Sequence, residues 1–141
     1  MYEYLEKILP VERIKYNEPM KNHTTIKIGG NADVLVLPET IDEIIDIVNY
    51  AKRENIKVTV IGNGSKLIVS DEGIEGIVIK LTSKFSNVKV ENNYIYAEAG
   101  ATMPKLAVIA KKHSLSGFEF ACRNSWNYWW WNKNECRSLW L

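Results

Sequence analysis

The chain has 141 residues, 46% of them hydrophobic, with 18 basic against 17 acidic side chains and a net charge of +1. That length suits one domain with a real core, and the near-neutral charge excludes the basic stripe that nucleic acid demands. No apolar run approaches the roughly 18–20 residues that span a bilayer, the first residues lack a signal peptide's basic start and apolar stretch, and Cys122 and Cys136 make no disulfide framework, so a cytoplasmic protein is expected; a monomer is expected as well, though not from these features.

Residues 2–9 suit a short helix, ended by Pro10. A polar stretch runs from Asn17 to Lys27 into Ile28-Gly29-Gly30. Ala32 to Leu37 reads as a strand stopped by Pro38. Thr40 opens the strongest helix, to about Arg53, because Thr40 and Glu43 have capping-box spacing. Ile41, Ile44, Ile45 and Val48 recur at helical spacing and are expected to form its buried face. Residues 57–61, Lys-Val-Thr-Val-Ile, are rich in β-branched side chains and read as a buried strand. Strand, helix, strand over residues 32–61 predicts a parallel pair joined by a crossover.

Ile74 to Leu81 gives another strand. Residues 88–91 and 94–97 flank Asn92-Asn93 as a hairpin. Glu98 to Ala101 is a small-residue turn, and Met103 to His113 is helical with Leu106, Ile109 and Ala110 on one side. Leu115 to Cys122 is expected to return toward the sheet. The fold class is therefore α/β (α+β) with a strand–helix–strand core.

Gly62-Asn63-Gly64-Ser65-Lys66 follows the 57–61 strand, at the strand edge where α/β proteins take ligands. Two glycines let the backbone adopt positive φ and approach a ligand closely. Successive amides, with the Ser65 hydroxyl, can then cradle an anion, and Lys66 adds a charge. A plain sharp turn is the other reading. The loop is neither a Walker loop nor a G-x-G-x-x-G fingerprint, since Leu67 and Ile68 follow.

His23 reads as a hydrogen-bonding loop residue, with a cofactor contact as the other possibility. His113 suits a helix C-terminal cap. Asp71 and Glu72 are adjacent and point apart, as on a surface loop. Cys122 has no positioned base and reads as a packed small residue. Two isolated histidines make a metal site improbable. From Arg123 onward the chain changes character: all five tryptophans, Trp126, Trp129, Trp130, Trp131 and Trp140, fall there.

Residues 20–37 (MKNHTTIKIGGNADVLVL), 62–81 (GNGSKLIVSDEGIEGIVIKL) and 97–122 (AEAGATMPKLAVIAKKHSLSGFEFAC) together resemble the N-terminal flavin-binding domain of the UDP-N-acetylenolpyruvoylglucosamine reductases, also called UDP-N-acetylmuramate dehydrogenases. The resemblance covers about residues 16–122. It implies a partial FAD-binding domain of the vanillyl-alcohol-oxidase/PCMH type. It also implies that Gly62, Asn63, Gly64, Ser65, Lys66 and Leu67 line the FAD pyrophosphate, with Ile28, Gly29, Gly30, Gly100 and Ala101 in the cofactor cleft. One departure is Lys66, where the family usually has Asn; lysine meets a phosphate as a mobile point charge rather than a fixed amide. The family uses FAD with NADPH as reductant and a small nucleotide-sugar substrate.

After Phe-Ala-Cys the family carries a second glycine-rich loop, approximately G-I-P-G-x-x-G-G-x-x-x-M-N-A-G-A-Y-G, which residues 123–141 do not match. Tryptophan has the single codon TGG, so three in a row force TGGTGGTGG, which one base later begins GGT-GGT. A permitted coding of residues 123–140, read one base later, translates as G-I-P-G-T-I-G-G-G-I-K-M-N-A-G-A-Y-G. The expected division is therefore 1–122, an incomplete FAD-binding domain, and 123–141, an out-of-frame tail. A membrane-interface helix would segregate its aromatic residues from its charges, and this segment does not. No catalytic residue is assigned, because the family's catalytic groups lie beyond the resemblance. The chain alone is expected to be inactive and to hold FAD weakly at best. The alternative is a non-catalytic nucleotide-binding module whose aromatic tail docks a partner.

Overall fold

The computed structural model describes residues 2–118, and the chain divides into two units, Met1–Thr82 and Ser83–Leu141. The first unit is built on a four-stranded sheet. Its elements are α1 (Leu5–Ile8), β1 (Ile14–Pro19), β2 (Asn31–Val36), α2 (Ile41–Arg53), β3 (Val58–Ile61) and β4 (Ile74–Lys80). The strand order is β1-β2-β4-β3. β1 runs antiparallel to β2, while β2 and β3 both run parallel to β4.

β2 and β3 are thus parallel and joined through α2, as expected, with β4 lying between them. The physical reason lies in β4. Ile77, Val78 and Ile79 are all fully buried, and a strand apolar on both faces belongs at the centre of a sheet. β3 takes the edge and is mostly half-buried rather than buried. Gly76 sits at the register shift between β2 and β4 and donates its amide to Asp33 Oδ2 at 2.8 Å. β1 had no sequence signal, since among its residues only Ile14 is buried. It is defined by its ladder to β2, not by an apolar period.

α2 starts as expected. The Thr40 side chain accepts from the Glu43 amide and the Glu43 carboxylate accepts from the Thr40 amide, so the capping box is complete. Glu43 also takes a two-pronged bond from Arg13, at 2.9 and 2.8 Å. The buried face of α2 differs from the expectation. Ile41 and Ile45 are 63% and 49% exposed, whereas Ile47, Tyr50 and Ala51 are buried. Tyr50 stacks on Tyr4 at 5.0 Å, and that contact turns the inward stripe toward residues 47, 50 and 51. A second core cluster gathers Met20, Ala32, Leu35, Ile61, Val69 and Val78.

In the second unit, β5 (Val88–Glu91) and β6 (Tyr94–Ala97) form the expected antiparallel hairpin, with Asn92 at φ 54°. α3 (Met103–Lys112) follows, and Met103, Leu106 and Ala107 pack with Val88 and Ile95 of the hairpin. Residues 115–118 form no strand. The rest of the expected 115–122 return, the 122/123 division and the tryptophan-rich tail lie outside the described residues. Among the described residues, no helix is long and apolar enough to cross a membrane.

Candidate functional site

The chain leaves the sheet edge at Ile61, the last residue of β3, and turns at once into Gly62-Asn63-Gly64-Ser65. Gly62 and Gly64 are buried, Asn63 and Lys66 exposed, Ser65 and Leu67 between. Leu67 packs against the second core cluster and anchors the loop's exit. Gly64 has φ +68°, and a Cβ there would lie 1.8 Å from the His23 carbonyl oxygen. Both facts demand glycine. The Gly64 carbonyl accepts from the Thr25 amide at 3.1 Å, so the 23–25 segment backs the loop.

The amides of Gly62, Asn63, Gly64 and Ser65 find no acceptor among the described residues. Buried amides normally have a partner. Four successive donors with none, two of them on buried glycines, suit an anionic group with several oxygens, such as a pyrophosphate.

Ile28, Gly29 and Gly30 lie against another segment. The Gly30 amide donates to the Ser70 carbonyl at 2.8 Å, and the Gly30 carbonyl accepts from Met20 at 3.0 Å. A Cβ on Gly30 would meet the Asp71 carbonyl oxygen at 2.1 Å, and one on Gly29 would press on Val69. These glycines therefore have a packing requirement of their own, whatever ligand they meet. Ile28 is 51% exposed, and its carbonyl accepts from the buried Thr24 hydroxyl at 3.2 Å. Gly100 and Ala101 belong to the second unit. There Gly100 donates to Phe85, Ala101 donates to Glu98, and Ala101 is fully buried in front of α3.

The loop reading of His23 holds: its Nε2 lies 2.7 Å from Glu18 and its Nδ1 3.0 Å from Lys80. Its two partners had gone unnoticed in the sequence. The available signal was a lysine directly after the apolar run Ile77-Val78-Ile79. Burial and the neighbouring Lys15 push the Lys80 ammonium below its usual range, against the opposing pull of Glu18. His113 caps α3 through its amide, bonded to Ile109 and Ala110. Asp71 and Glu72 are exposed, as a surface loop requires. Among the described residues no group of three or more His, Cys, Asp or Glu side chains could hold a metal.

Residues 32–125 match the model of the FAD-binding domain family. The chain belongs to that family. Its mixed α/β architecture is the FAD-binding domain of the vanillyl-alcohol-oxidase/PCMH type, and the family cofactor is FAD. Within it, the chain corresponds to the flavin domain of the UDP-N-acetylenolpyruvoylglucosamine reductases. It is 46% identical over 121 residues to the reductase of Syntrophomonas wolfei, covering 86% of this chain and 40% of that protein. The crystal structure of the Thermus caldophilus reductase superposes with a TM-score of 0.59 at 28% identity, covering 82% of this chain and 38% of that one. Alkyldihydroxyacetonephosphate synthase shares the fold alone, with a TM-score of 0.65 at 18% identity over 91% of this chain and 30% of its own. The chain thus spans about 40% of the length of the curated reductases it matches. In this FAD-binding domain, the loop whose four amides have no acceptor among the described residues falls inside the matched region.

Proposed function

We propose that this chain is the FAD-holding part of a cytoplasmic flavoenzyme that reduces UDP-N-acetylglucosamine enolpyruvate to UDP-N-acetylmuramate with NADPH, a step in peptidoglycan precursor synthesis. The observation that carries this reading is the Gly62–Ser65 row of amides at the end of β3 that have no acceptor among the described residues, in a chain 46% identical to such a reductase. When bound, FAD supplies the hydride chemistry. The protein's task here is to bind and orient it.

Gly62, Asn63, Gly64 and Ser65 donate to the pyrophosphate, Lys66 adds charge, and Leu67 fixes the loop to the core. Ile28, Gly29 and Gly30 form an adjoining wall; Gly100 and Ala101, within the second unit, are assigned to the cofactor on the resemblance alone. The substrate of the whole enzyme is a small nucleotide sugar, and the protein acts as a monomer. Titration of the purified chain with FAD, followed by flavin fluorescence, tests the site. Saturable binding that weakens when Gly64 is replaced supports it, and no binding refutes it.

Residues 123–141 are read here as an out-of-frame segment, leaving 1–122 as an incomplete FAD-binding domain. The chain alone then holds FAD weakly and does not turn over. The coding DNA decides this: a reductase-like substrate domain must follow in the shifted frame past Leu141. Measurable NADPH-dependent reduction of the enolpyruvyl substrate by the 141-residue chain would overturn the inactivity.

A further inference from the structure

His23 occupies an unusual position for a loop histidine. Its side chain is only 9% exposed and lies between charges from two different strands, Glu18 on β1 and Lys80 on β4. An ammonium can only donate, so Lys80 donates to Nδ1. Nε2 then carries the ring proton and donates to the Glu18 carboxylate at 2.7 Å. The chain of bonds runs in one direction, from Lys80 through His23 to Glu18. Both ends are charged, and bonds of that kind are about twice as strong as neutral ones.

The backbone of the same histidine touches the glycine loop. Its carbonyl oxygen occupies the space a Gly64 side chain would need. Two residues on, the Thr25 amide donates to the Gly64 carbonyl. Further bonds leave the 20–28 segment little freedom to drift: His23 amide to Met20 carbonyl at 2.8 Å, and Thr24 hydroxyl to Ile28 carbonyl at 3.2 Å. Lys80 is paired with Ile61, the residue from which the loop departs. The side chain of His23 is therefore tied to the strand next to the loop, while its backbone abuts the loop itself.

We propose that Glu18, His23 and Lys80 form a clamp that sets the position of the Gly62–Ser65 amides, making them positioning residues for a phosphate-bearing ligand. The ligand part rests on the pyrophosphate role proposed above; the clamp itself does not. Burial and Lys15 depress the Lys80 pKa, which fits an ammonium kept from water and reliant on His23 and Glu18. Among the described residues, Lys15 also lies close, 3.8 Å from Glu18.

The test is residue-resolved amide hydrogen exchange on the 141-residue chain, with Lys80→Met and Lys80→Arg. In Lys80→Met, protection of the Thr25 amide should fall by about tenfold or more, with the Ile77 and Leu81 amides of the sheet unchanged. Lys80→Arg, which keeps a charged donor, should restore much of it. Unchanged Thr25 protection in Lys80→Met overturns the clamp. So does an equal loss at Ile77 and Leu81, or an arginine variant no better than methionine. FAD titration of the same variants separates the two ideas. If Thr25 loosens while FAD affinity stays unchanged, the clamp stands and the phosphate role of the loop falls. If affinity drops while Thr25 keeps its protection, the clamp is wrong. Should the wild-type chain bind no FAD, the phosphate role falls and exchange still decides the clamp.

Discussion

Replacing Gly64 with alanine should unsettle the loop through two separable effects. The residue has φ +68°, and a left-handed conformation costs an L-residue about 1–2 kcal/mol. The added methyl would also sit 1.8 Å from the His23 carbonyl oxygen. Because the obstacle is backbone, the segment must shift, at about 1–3 kcal/mol on the scale of overpacked sites. Together that predicts a loss of about 2–5 kcal/mol, a drop in melting temperature of at least about 10 °C for a unit of this size. Gly117 provides the internal control. It has φ +93° but, among the described residues, nothing within 4 Å of its notional Cβ, so Gly117→Ala should cost only the conformational part, about 1–2 kcal/mol. Urea and thermal unfolding followed by circular dichroism measure both variants. If Gly64→Ala costs no more than Gly117→Ala, the His23 carbonyl does not constrain the loop and the account of the site is wrong.

Further consequences can be checked in the same assays. Burial works against ionisation of Glu43, but the bond from Arg13 and the Glu39 and Thr40 amides prevail and hold its pKa below the ordinary 4.5. Its stabilisation is therefore present above the unfolded value and lost as pH falls through the lower folded value. Arg13→Met should cost about 1–2 kcal/mol at neutral pH and flatten the acid limb; an unchanged acid limb would refute the pairing. Thr40→Ala removes the cap of α2 and should cost about 1 kcal/mol by urea denaturation, whereas a neutral result would mean that water satisfies the Glu43 amide equally well. Ile47→Ala should cost about 2–4 kcal/mol and Ile45→Ala under about 0.5 kcal/mol. The reverse order would restore the face expected from helical spacing.

Much of the local structure was legible because it depends on neighbours in sequence. The capping box needs only Thr40 and Glu43, three residues apart, and the hairpin turn needs only Asn92 in a left-handed conformation. The glycine loop was legible for the same reason, and its position after β3 was right. β1 was not, because it carries a single buried residue and exists through its ladder to β2. The buried stripe of α2 was misplaced because four isoleucine and valine positions on a helix surface do not say which side a tyrosine from elsewhere will stack upon.

The sequence by itself determined the family, the α/β class and most of the helices and strands, and it singled out the glycine loop proposed to take a phosphate. Those follow from local spacing and from residue order. Only the tertiary structure decided that β4 lies between β2 and β3, since strand order depends on which run is apolar on both faces. It alone revealed that the packing of residues 69–73 already accounts for Gly29 and Gly30. It alone joined Glu18, His23 and Lys80, because side chains separated by as many as 57 positions meet only when the sheet is assembled.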